Sequence, residues 1–135
     1  MSKVINSGKH EFSLEAEDFM VLRFGSAAIT ANDVLAMYEI ERQILGRPYV
    51  FSLVIFDDGT SITPGTVSQI AKTFNKGPPR STAVVVRKFF MRNAMEFVLR
   101  AVRGLGATVE LQFVEDERTG RRWIGQKREE RASQR

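Results

Sequence analysis

The chain has 135 residues, 43% of them hydrophobic and 27% charged, with a formal net charge of +4 and no cysteine. Such values fit one globular domain, residues 1–126, followed by a charged tail over residues 127–135. They exclude a disulfide frame, a thiolate nucleophile and a Cys-ligated metal. No apolar run approaches the roughly 20 residues of a membrane-spanning helix, and the start lacks an apolar signal core, so a cytoplasmic protein without a membrane span is expected.

Half of the positive excess falls in the tail, and residues 1–126 are close to charge balance, which argues against a nucleic-acid partner. One local basic patch stands out: Arg87, Lys88, Arg92, Arg100 and Arg103 face the single acid Glu96. It reads first as a solvated helix face and second as a polyanion contact.

Residues 10–15 alternate apolar and polar, as a half-exposed strand at or near a sheet edge does, and residues 19–24 form a second strand. Thr30 begins the first helix with Asp33 three residues on, and Val34, Met37, Tyr38, Ile40, Ile44 and Leu45 give its apolar face. Glu41 falls inside that face. It is either a rim carboxylate reaching water or Arg42, or a buried acid with a raised pKa at a ligand site. Gly46 and Pro48 end the helix.

In residues 49–56 Ser52 is the only clearly polar side chain, which predicts a strand covered on both faces. Asp57, Asp58 and Gly59 leave the sheet, and Thr63 then caps a second helix with Pro64 at its first position. Strand end and helix start thus meet at one loop, where partners of open α/β sheets gather; Asp57, Asp58, Ser61, Thr63 and Thr66 are its candidate partner or switch residues. Capping accounts for Thr63, and the alternative use of these hydroxyls is a phosphorylation switch.

Residues 75–79 are a loop and residues 82–86 another buried strand. The third helix spans about residues 90–105, with Met91, Ala94, Met95, Val98, Val102 and Leu105 inward. Phe90, Phe97 and Ala101 form a shoulder expected to meet a neighbouring element or the terminal helix; together with Glu41 they are the alternative candidates for a ligand groove or dimer contact. Residues 108–114 alternate again as an edge strand. Trp123 and Ile124 anchor a final helix over residues 115–126, which Gly120 and Gly125 make fragile. The order β-β-α-β-α-β-α-β-α predicts an α/β fold with a mainly parallel sheet, right-handed crossovers and one antiparallel strand at the start.

Several chemistries lack their residues. GTSITPGT has neither the spacing nor the lysine of a phosphate-binding loop, and no dinucleotide fingerprint occurs. His10 is the only histidine, and adjacent Asp57 and Asp58 make a poor metal site. No catalysis, cofactor or metal is expected.

The helix start ITANDVLAMYEIERQIL, Gly46 and Pro48, the apolar strand ending at Asp57, then AVVV, FFMRNAMEFVLRAV and a terminal RRWI resemble the STAS-like domains. These are relatives of the bacterial anti-sigma factor antagonists, including small single-domain STAS/SEC14-like proteins. The resemblance covers about residues 10–125. It implies a mixed sheet backed by helices and a non-catalytic regulatory or protein-interaction module whose partner, a regulatory protein, docks near the second helix. Antagonists carry Asp-Ser-Ser-Gly where this chain has Thr63-Pro64-Gly65-Thr66, so the usual phosphoacceptor is lost. The SEC14-like relatives imply the alternative, a carrier or sensor of a small apolar or amphipathic ligand or a nucleotide.

Overall fold

A computed structural model of the chain describes residues 3–134. Its strands are β1 (Lys3–Ser7), β2 (His10–Ala16), β3 (Phe19–Phe24), β4 (Val50–Phe56), β5 (Arg80–Val85) and β6 (Val109–Val114). They form one sheet in sequence order. The pairs β1–β2 and β2–β3 are antiparallel, whereas β3 to β6 run parallel to one another. The helices are α1 (Ala31–Glu41), extended by a 3-10 turn Arg42–Ile44, then α2 (Pro64–Phe74), α3 (Phe89–Gly104) and α4 (Glu117–Ser133). The fold is therefore α/β with a mixed six-stranded sheet.

Sequential parallel strands joined by right-handed crossovers put every crossover helix on the same face. Accordingly α1 packs on α2 and α2 on α3, while α4 lies against β4, β5 and β6. The side-chain alternation of β4 divides the interior. Val50, Val54 and Phe56 join Leu22, Phe24, Ile40, Ile70 and Val98 in the larger core under α1–α3. Phe51 and Leu53 join Val21, Ala83, Val85, Val114 and Ile124 in a smaller core under α4. This two-sided cover buries β4 and β5 on both faces.

Four expectations are corrected. The sheet begins with β1, absent from the sequence reading, so β2 lies near the edge but not at it, and the chain has two antiparallel pairings at its start. The strand expected from residue 82 starts at Arg80 and ends at Val85. The expected tail is helix: α4 continues to Ser133, and of residues 127–135 only Arg135 lies outside the described residues. Gly120 does not interrupt α4 but lets it approach the sheet, because a Cβ there would stand 2.9 Å from Leu53 Cδ1. Among the described residues no helix is long and apolar enough to cross a membrane.

Candidate functional site

The loop after β4 is positioned by its own hydrogen bonds. Asp57 Oδ1 accepts from Gly59 N at 2.8 Å, and Asp58 forms an exposed ion pair with Arg87 at 2.8 Å. Ser61 bridges to Ala28 through the backbone. Thr63 caps α2, its hydroxyl accepting from Thr66 N at 3.2 Å, and the two hydroxyls stand 3.1 Å apart. Thr63 is exposed, whereas Thr66 is buried. Thr60, which sequence reading passed over, is also buried and donates to the carbonyl of Gly25 at 2.8 Å, tying this loop to the end of β3. The five candidate residues lie together on this loop: Asp57 serves the turn, Thr63 and Thr66 the cap, and Asp58 the pair with Arg87.

A second polar cluster joins β1, β2 and α1. The buried His10 ring accepts from Gly25 N at Nδ1 (2.9 Å), which leaves its proton on Nε2, 3.1 Å from the Ala28 carbonyl and 3.5 Å from Asp33 Oδ2. The Ser7 hydroxyl donates to Asp33, not to His10. Serine, histidine and aspartate thus meet in an order that cannot activate the serine, because the basic nitrogen is already engaged by a backbone N–H. Burial pushes the Asp33 carboxyl up, but hydrogen bonds from the Ser7 hydroxyl and from Thr30 outweigh it and hold the group below its ordinary value.

The basic patch splits. Arg87 is held by Asp58, Arg92 by Glu96 and over the Phe113 ring, and Arg103 by the carbonyl of Val109. Lys88 and Arg100 are exposed and make no ion pair among the described residues. Between these cations the α3 surface is apolar. Phe90 is 67% exposed and Phe97 58%, with half-buried Ala94 and Ala101 completing one stripe at helical spacing and exposed Phe89 and Leu105 at its ends. The shoulder therefore does not meet the terminal helix, which lies on the opposite face of the sheet.

Glu41 is buried, as the second reading of it expected, and is not the rim carboxylate of the first. It is 1% exposed and faces neither water nor Arg42; Arg80 Nη1 donates to its Oε1 at 2.9 Å and Nη2 to its Oε2. Arg80 also opens onto a cavity of about 100 Å³ between the sheet and helices α2 and α3. Leu22, Val54, Met37, Met95, Val98 and Leu111 contribute to its apolar lining, and Ser52 and Thr82 to its floor. Phe90, Phe97 and Ala101 do not line it. Ser52, Arg80 and Thr82 were not sequence candidates; the visible signal was one serine inside an otherwise apolar strand.

Among the described residues no group of three or more metal-ligating side chains is assembled. No family model, curated protein or solved structure matches the chain.

Proposed function

We propose that the chain is a non-catalytic, STAS-like protein-interaction module that docks a regulatory partner through the outer stripe of α3. The exposure of Phe90 and Phe97 carries this reading. Large aromatic side chains left in water on one helix face, bordered by unpaired cations, are what an interface core with a charged rim requires. The element order from β2 to α4 supports the STAS-like assignment. Lys88 and Arg100 favour a partner whose apolar groove is edged by carboxylates. Thr63 acts as a helix cap in this scheme, and partner choice does not depend on a phosphate.

A photo-crosslinking residue placed at Phe97, with the same residue at exposed Leu35 on α1 as control, tests the reading in extract of the source organism. One adduct of defined mass at position 97, absent at 35 and reduced by Phe90→Ser, is expected. Equal labelling at both positions, or an adduct with the mass of two copies of this chain, overturns it.

A further inference from the structure

We infer that the cavity under α2 and α3 binds a small, uncharged, mainly apolar molecule carrying one hydroxyl or carbonyl group, which the Ser52 hydroxyl receives. Ser52 is 1% exposed, and its Oγ has no hydrogen-bond partner among the described residues. A buried hydroxyl left unpaired destabilises a fold, and native interiors rarely tolerate one without a reason. This one lies on the floor of the cavity. In the register of β4 and β5, Ser52 stands directly opposite Thr82, so two hydroxyls sit side by side in a lining that is otherwise almost wholly apolar.

The polar groups also restrict the class of ligand. Arg80 is the one charged lining residue, and Glu41 neutralises it through two hydrogen bonds. No net charge is left to hold an ionised head group, and desolvating one there would cost more than two hydroxyls return. A water there would find the Ser52 and Thr82 hydroxyls, the lower limit of the two to four polar partners a buried water takes, and an otherwise almost wholly apolar lining. About 100 Å³ is close to the roughly 150 Å³ of an apolar cavity that admits benzene. Met20, Met37 and Met95 in the lining are unbranched and adaptable enough to make up the difference. Met95, Leu99, Val109 and Leu111 are only half-buried, which puts the mouth between α3 and β6. The cavity lies beneath α3 and the Phe90–Phe97 stripe on its outside, so this inference does not rest on the docking reading.

Phenol and toluene, alike in size and differing in the hydroxyl, are the probes. Titration of the full chain, followed by the methyl NMR signals of Met20, Met37 and Met95, is expected to show both binding, with phenol about five-fold tighter, the worth of one net hydrogen bond. Ser52→Ala should fold, keep toluene and lose the preference for phenol; Leu35→Ser on α1 should change neither affinity. Unshifted methyl signals, equal affinities in the unmutated chain, or a preference that survives Ser52→Ala would each overturn the inference.

Discussion

Arg80, at the start of β5, and Glu41, at the end of α1, form a buried two-point ion pair although 39 residues separate them in sequence. Each partner alone would leave an uncompensated charge inside the protein, so Glu41→Gln or Arg80→Ala is expected to cost about 3–5 kcal/mol in urea unfolding. Replacing both with apolar residues of similar volume should restore most of that stability. A double variant as weak as the sum of the two single ones would show that the pair acts independently, against the geometry.

Gly77 lies against this pair. A Cβ there would collide with both Arg80 Nη2 and Glu41 Oε2. Gly77→Ala is expected to cost about 1–3 kcal/mol by overpacking. The same change should cost less in an Arg80→Ala background, because one of the two atoms it strikes is gone and the Glu41 carboxylate is released from its partner. The four unfolding curves of this cycle give the coupling directly.

Acid should loosen the cover that α4 provides. The Arg23 guanidinium, donating to Glu117 at 2.7 and 2.8 Å, outweighs the upward push of burial; with help from Arg121 it lowers that carboxyl from 4.5 to about 2. A carboxylate depressed in the folded state contributes stability that is fully present above its unfolded value and is lost as pH falls toward the folded one. Urea midpoints measured from about pH 6 to pH 2 should therefore drop below about pH 4.5. Glu117→Gln should flatten that part of the profile, and an unchanged slope would count against the network.

The terminal turns of α4 should matter to stability although they look like a solvated tail. Arg128 pairs with Asp18 at 3.0 Å and lies 4.7 Å over the Phe51 ring, and Arg131 lies 3.7 Å over Tyr49. Arg128→Ala is expected to cost about 1 kcal/mol, and Arg128→Lys less, since the ammonium keeps the charge but not the flat stack. Deleting residues 127–135 should lower Tm, because the Phe51 and Tyr49 rings lose the guanidinium groups laid over them.

At the start of α2, Thr63→Ala should cost about 1 kcal/mol through the lost cap to Thr66 N. Thr63→Asp should be near neutral, because a carboxylate caps equally well and favours the helix amino terminus. Thermal unfolding of the two variants checks both signs. A stoichiometric phosphate on Thr63 in protein from the source organism would replace the cap with a switch.

Where a pattern was carried by apolar periodicity, the fold was legible. Strands β4 and β6 and helices α1 to α3 follow from alternation, helical spacing and the caps at Thr30 and Thr63. Strand β1 was not, because KVINS offers only Val4 and Ile5 as apolar residues and its state is set by pairing with β2. Helix α4 was cut short for a related reason: beyond Trp123 and Ile124 its inner face is Arg128 and Arg131 laid over Phe51 and Tyr49, so its last turns cover apolar surface without apolar residues. The site divides in the same way. The loop from Asp57 to Thr66 is local and could be read, whereas the partner of Glu41 and the floor formed by Ser52 and Thr82 depend on contacts distant in sequence.

The placement of α4 also bears on synthesis. It follows β6 in the chain, so a ribosome has made all six strands and three helices before the one element that covers Phe51, Leu53 and Val85 is free to dock. During that interval the nascent chain carries an uncovered apolar sheet face, the kind of surface that recruits chaperones or neighbouring chains. The charged character of α4 suits such late docking: its cations reach Asp18, Glu15 and Glu110 through long-range attraction before the rings beneath them lose water. Slow docking of α4 would therefore prolong the exposure of that face.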